Sequence, residues 1–245
     1  MSRTTRMGGA VIALALASAA TPALAQIPGM PLFTNPRYGT GFRIHADFGK
    51  PTEDAPDSSD LSVYQAGVSF ALGPLGIGAN IGQSKTNFDR NQVCRTNPNA
   101  DCLEERVTAS ALVQLRVAGG GRSNLSLSAF GGASVDVSVD TAQATATASK
   151  VMNIPVGVAV GLRVPLGVAS LNLWGAPRYN FTRISDCSAP CEQPDPVFGW
   201  AVGADFPIFR IISIRAAYDS HKDKLSDRTV SVIGFGASIG IGGMR

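Results

Sequence analysis

The chain has 245 residues, enough for one large β domain or two small domains. Its formal net charge is only +3, which gives no indication of a nucleic-acid partner. Beyond residue 26 it contains no run of about 18 consecutive apolar residues, so a membrane-spanning helix is excluded there. Frequent glycine, sparse charge and the lack of a long helical stripe favour an all-β chain.

Residues 1–25 predict a secretory signal peptide. Arg3 and Arg6 form a basic start, "MGGAVIALALASAA" is the apolar core, and small residues end at Ala25, so cleavage would leave Gln26 first. Cleavage would remove two arginines and no acid, lowering the net charge from +3 to +1. An uncleaved N-terminal anchor is the alternative, which the short apolar core disfavours.

From residue 39 onward, apolar and polar residues alternate in ten segments. In "MNIPVGVAVGLRV", every second residue from Met152 to Val164 is apolar, a period that gives a strand one apolar face but would scatter around a helix. The predicted strands, in chain order, cover about 39–49, 62–72, 75–86, 105–117, 124–139, 152–164, 169–183, 197–206, 211–219 and 229–241.

The connections between these segments alternate between short and long. Short connections lie near Gly73, Gly120, Leu166 and Phe209, and the long polar ones cover 50–61, 87–104, 140–150, 184–196 and 220–228. Outer-membrane barrels have this plan, with an even strand number, short periplasmic turns and longer external loops. We therefore predict that residues 26–245 form a closed antiparallel up-and-down transmembrane β-barrel of ten strands, with eight as the alternative.

The alternation alone also fits a soluble β-sandwich, in which the apolar rows would pack inward. Two features favour rows that face lipid. The opposite face is rich in Gly, Ala and Ser and has few Lys, which suits a narrow barrel interior. The aromatic residues cluster at strand ends, as in the interfacial girdles of membrane barrels; they are Phe48, Tyr64, Tyr179, Phe181, Phe198, Trp200 and Tyr218 at one end, and Phe42, Phe70 and Phe206 at the other.

The final segment "GFGASIGI" (residues 234–241) resembles the insertion signal of small Gram-negative outer-membrane barrels, the OmpA-like and porin-family barrel domains. Gly236, Ile239 and Ile241 match that signal, whereas Gly234 stands where a polar residue is usual. The resemblance implies outer-membrane lipid as the surroundings and the barrel assembly machinery as a partner during insertion. We expect no peptidoglycan-binding domain after the barrel.

Charged residues on the polar face permit two interpretations. One is a cationic constriction that selects anions, and the other is a salt-bridge network that plugs the barrel and fixes its register. Asp205 and Arg215 flank one hairpin and could pair across it. The predicted lumen residues are Arg43, His45, Asp47, Arg116, Asp136, Arg163, Arg178, Asp205, Arg215 and Asp219.

The cysteines form one pair in each of two long connections: Cys94 with Cys102, and Cys187 with Cys191. Export into an oxidising compartment predicts a local disulfide within each connection. Pairing between the two connections and a four-thiolate zinc site are the alternatives, and the departure from C-x2-C spacing disfavours zinc.

The sequence shows no phosphate loop, nucleotide fingerprint or metal-spaced histidine cluster, and it predicts no metal site and no cofactor. His221 lies near Asp219 and Ser220, but no spacing identifies a catalytic site, so we expect the protein not to be an enzyme. The prediction is a barrel with a structural or surface-interaction role, toward an unidentified extracellular ligand, or at most a narrow passive pore. An outer-membrane enzyme acting at the rim and a secreted soluble ligand binder are the alternatives.

Overall fold

The computed structural model describes residues 33, 35, 41–52, 62–87, 103–120, 123–136, 150–167, 169–185, 195–209, 211–223 and 228–241. The predicted signal peptide, the four cysteines and most of the long connections lie outside these residues. No helix in the described ranges is long and apolar enough to cross a membrane.

Ten strands make up the described fold, and each coincides with one predicted segment to within a few residues. The largest difference is in the ninth, which extends four residues beyond its predicted end at residue 219. The strands are β1 (Gly41–Pro51), β2 (Ser62–Leu72), β3 (Leu75–Asn87), β4 (Leu103–Gly119), β5 (Leu125–Asp136), β6 (Lys150–Leu166), β7 (Ala169–Ser185), β8 (Val197–Pro207), β9 (Ile212–Asp223) and β10 (Arg228–Ile241).

Every strand pairs antiparallel with its neighbours in sequence, and β1 pairs with β10 to close the barrel. Closure removes the unpaired edges that an open sheet would expose. The prediction of a closed antiparallel up-and-down barrel of ten strands is therefore confirmed.

The polarity of this barrel is inverted relative to a soluble protein. Large apolar side chains such as Val158 (46 %) and Phe235 (60 %) are exposed on the outside, whereas His45 (3 %) and Asp219 (0 %) are buried inside. Strand periodicity produces this division, because alternate residues point to opposite faces of the sheet. The apolar rows face outward, as the sequence predicts.

Three aromatic pairs lie on adjacent strands toward the end that carries the long connections. The ring centroids are 5.1 Å apart in Phe48–Tyr64, 5.8 Å in Tyr179–Phe198 and 5.2 Å in Trp200–Tyr218. These separations are typical of favourable aromatic contacts. The predicted girdle of aromatic residues at this end of the barrel thus includes cross-strand aromatic pairs.

The opposite end carries short connections that depend on glycine. Gly73, Gly119, Gly120 and Gly167 all have φ between +59° and +87°, a region that side-chain-bearing residues rarely adopt. At Gly119 an added Cβ would also collide with the Leu125 carbonyl oxygen. The β4–β5 register shifts between Arg116 and Ala118, just before this turn.

Candidate functional site in the barrel lumen

The inward side chains form polar contacts that reach across an intervening strand. Among the described residues, three such contacts join side chains two strands apart, and in two of them a glycine pairs in register with both contacting residues. These two glycines are Gly67 on β2 and Gly236 on β10. In the third contact, Gly199 on β8 pairs in register with only one of the two contacting residues. A glycine leaves the space above the sheet that the contact needs.

The first contact joins β9 to β1 over β10. Arg215 Nε lies 3.1 Å from Asp47 Oδ1, and both side chains are enclosed. Gly236 pairs with both residues in register, so the ion pair passes directly above it. Gln65 Nε2 donates to the other carboxylate oxygen of Asp47 at 3.0 Å, which extends the contact to β2.

The second contact joins β1 to β3 over β2. His45 Nε2 lies 2.6 Å from Asn80 Oδ1, and Gly67 pairs in register with both residues. A Cβ on Gly67 would collide with Asn80 Oδ1 and lie 2.7 Å from His45 Nε2. Asn80 Nδ2 donates onward to Ser110 Oγ on β4 at 3.3 Å. His45 is therefore part of a polar chain along the inner wall.

The third contact is a cluster near the long-connection end, formed by Arg178, Asn180, Asp219 and His221. Arg178 Nη2 donates to Asp219 Oδ1 at 2.8 Å, and Arg178 Nε donates to Asn180 Oδ1 at 3.1 Å. His221 Nδ1 lies 3.2 Å from the same Asp219 oxygen. All four side chains are buried, and Gly199 lies in register between Arg178 and His221.

Two residues that precede β1 also lie inside the barrel. Phe33 is 1 % exposed, and its ring covers Gly49 on β1 and Gly234 on β10, beside Val232. The Phe33 carbonyl oxygen accepts from Arg215 Nη1 at 3.5 Å, and Asn35 Nδ2 donates to Asp205 Oδ2. Neither residue is predicted from the sequence, because no alternation or motif marks it.

The remaining predicted lumen residues differ in their placement. Arg43 and Arg116 are half-buried and have interacting partners, whereas Arg163 is exposed beside the β6–β7 turn. The side chain of Asp136, the last residue of β5, lies outside the described atoms. Arg215 and Asp205 are register neighbours, but the contacts above join Arg215 to Asp47 and Asp205 to Asn35.

Among the described strand residues, two aromatic side chains lie on the otherwise mostly polar inner face. Phe130 on β5 is 3 % exposed and Trp174 on β7 is 5 % exposed, and the Trp174 ring covers Gly203 on β8. Both occupy the inward phase of their strands, next to the outward Ala129 and Leu173. That phase is visible in the sequence and could have identified them as lumen residues.

No family model and no curated protein matches the sequence. Several solved barrels are similar to the fold at low identity. The translocator domain of the autotransporter NalP from Neisseria meningitidis is 13 % identical to the chain, with a TM-score of 0.41. The match covers 84 % of this chain and 90 % of that chain. The β domain of the Bordetella autotransporter BrkA is 10 % identical to the chain, with a TM-score of 0.45. The match covers 83 % of this chain and 99 % of that chain.

The outer-membrane protease OmpT from Escherichia coli is 8 % identical to the chain, with a TM-score of 0.37 and with 83 % of this chain and 94 % of that chain covered. At these identities and scores, the similarities assign no function to the chain.

Proposed function

We propose that this protein is an outer-membrane β-barrel with a structural or surface-interaction role and a lumen that is closed by its own side chains. The single observation that carries the proposal is the set of paired polar side chains on the inner wall. Cross-strand contacts from Asp47, His45 and Arg178 occupy the inner wall, and the Phe33 ring lies among them.

The outer surface supports placement in a membrane. The shortest strands have 11 residues, for example β1. At about 3.3 Å per residue and a tilt of about 40°, such a strand spans about 28 Å, enough for an apolar band of about 25 Å. In water, a continuous belt of exposed Val, Ile, Leu and aromatic side chains would favour aggregation.

The charges of the lumen favour a plug over an anion filter. Arg178 lies against Asp219 and Arg215 against Asp47, so two of the enclosed cations already have carboxylate partners. A selectivity filter for anions needs cationic groups that remain available to a passing ion. Paired charges instead fix the relative positions of strands, at the desolvation cost that burial of ions entails.

The proposal gives His221 no catalytic role. The Asp219 oxygen that would orient the imidazole also accepts the Arg178 hydrogen bond, so it belongs to an ion-pair network. We expect the wild type and His221→Ala alike to hydrolyse lipid A and peptide substrates no faster than a protein-free control. Hydrolysis by the wild type that His221→Ala abolishes would instead establish an enzyme at the rim.

Planar-bilayer recording tests the closed lumen. Purified, refolded wild-type protein should insert without producing conductance steps. Folding is checked in the same preparation by a shift in gel mobility between unboiled and boiled samples. Reproducible conductance steps from the folded wild type would contradict the proposal and favour the passive pore. Recovery of the protein in the soluble periplasmic fraction would contradict the membrane placement.

A further inference from the structure

We propose that the inner wall of the barrel contains a peptide-binding groove, whose ligand is an extended segment with an aromatic residue and, two positions later, an amide side chain. In the wild-type chain the segment is its own, and it supplies Phe33 and Asn35. The inference concerns a recognition site and does not require that the barrel has a structural or surface role.

The spacing of the two side chains indicates an extended ligand. Residues i and i+2 of an extended chain point to the same side. Phe33 and Asn35 have this spacing, and both are buried with contacts to the inner wall. The groove therefore meets one face of the segment.

The wall recognises three chemical features of that segment. Gly49 and Gly234 form a socket for the aromatic ring, because a Cβ on either glycine would lie 2.6 Å from ring carbons of Phe33. Arg215 Nη1 donates to the backbone carbonyl of Phe33. Asp205 accepts from the Asn35 amide. A hydrophobic socket, a backbone donor and a side-chain acceptor together give both affinity and sequence preference.

The socket glycines are difficult to explain by the strands alone. Gly49 and Gly234 are register partners on β1 and β10, and glycine in a strand interior is destabilising. The ring provides the reason for both glycines, because burying a phenyl group removes apolar surface from water and so offsets the cost of glycine in the strand. Val232 closes the socket, with Cγ1 2.9 Å from the Cβ position above Gly49.

Binding in trans tests the groove with the full-length chain. Phe33→Ala weakens the internal segment and leaves the wall intact. A fluorescent peptide with the chain's own sequence from residue 29 to residue 37 should then bind the folded variant in detergent, as measured by anisotropy. Wild-type protein, whose groove is occupied, should bind the same peptide about tenfold or more weakly, because the internal ring must first leave.

Two controls make the result specific. In the Phe33→Ala background, Gly234→Ala fills the socket and should abolish peptide binding. Gly175→Ala should not, because the nearest atom to its Cβ position is 3.8 Å away. A peptide with alanine at the positions of Phe33 and Asn35 should not bind.

Equal binding to wild type and Phe33→Ala, no binding to either, or binding that survives Gly234→Ala would overturn the inference. These outcomes are independent of the conductance result. A conducting wild type refutes the closed lumen, whereas failure of peptide binding refutes only the groove. Heat-modifiable gel mobility of each variant establishes that the barrel is folded before binding is measured.

Discussion

Replacing Gly236 with alanine tests whether the lumen contacts require the glycines between them. A Cβ on Gly236 would collide with Asp47 Oδ1 and would lie 2.7 Å from the Ala46 carbonyl oxygen. The carboxylate can rotate away only by leaving Arg215, and the carbonyl belongs to the hydrogen-bonded ladder of β1. Both responses weaken the barrel.

The expected size of the effect follows from these contacts. Overpacking of an enclosed site costs about 1–3 kcal/mol, and loss of a buried ion pair that leaves one charge behind costs about 3–5 kcal/mol. The opposing gain from replacing glycine in a strand is about 0.5–1 kcal/mol. We expect Gly236→Ala to lower the free energy of unfolding by about 0–2.5 kcal/mol if the ion pair survives, and by about 2–4.5 kcal/mol if Asp47 separates from Arg215.

The control is Gly131→Ala on the outer face of β5, where Gly131 pairs with the exposed Val113 and Val156. The only atom near its Cβ position is the Pro155 carbonyl oxygen at 3.9 Å, so the substitution should be neutral or stabilise by about 0.5–1 kcal/mol. Equilibrium urea unfolding in detergent micelles, followed by tryptophan fluorescence, compares the two variants. The penalty of Gly236→Ala should shrink in an Asp47→Ser background, where the carboxylate is absent. If Gly236→Ala is as stable as Gly131→Ala, the glycines have another purpose and the reasoning fails.

Three further predictions use the same unfolding measurement. Arg178→Met should lower the free energy of unfolding by about 3–5 kcal/mol because Asp219 stays buried without its cation, and the double variant Arg178→Met/Asp219→Leu should recover part of that loss; equal stability of the two would contradict the ion-pair interpretation. Phe33→Ala should cost about 3–5 kcal/mol by leaving a cavity, whereas Phe181→Ala, on the outer face, should cost less in detergent, and the reverse order would place the Phe33 ring outside the barrel. Arg163→Gln should change stability by no more than about 0.5 kcal/mol because the side chain is exposed, and a larger loss would show that Arg163 is part of the lumen network.

The sequence predicts the barrel well because one period governs its whole length. Strand residues alternate between faces, so the apolar runs from Met152 to Val164 and from Ile233 to Ile241 determine both element type and orientation. The alternation also gives the inward phase of His45, Asp47 and Asp219. Strand order follows as well, since short and long connections join sequential neighbours.

The contacts within the lumen could not be predicted in the same way. Alternation places Asp205 and Arg215 on one face, but it does not specify which partner each side chain reaches. The structure shows that Arg215 reaches past the neighbouring strand to Asp47, because Gly236 leaves the path open. The segment before β1 carries no periodicity, so nothing in the sequence places Phe33 inside the barrel.

The register of the strands gives some inward glycines a specific role. The high glycine content of the inward rows by itself indicates only that space inside the barrel is scarce. In register, Gly67 and Gly236 each lie between two contacting residues of the flanking strands, and Gly203 lies beneath the Trp174 ring. At Gly67 and Gly236 the flanking side chains meet above the intervening strand because that strand carries no Cβ there. Substitution at Gly67 can test this role independently of Gly236.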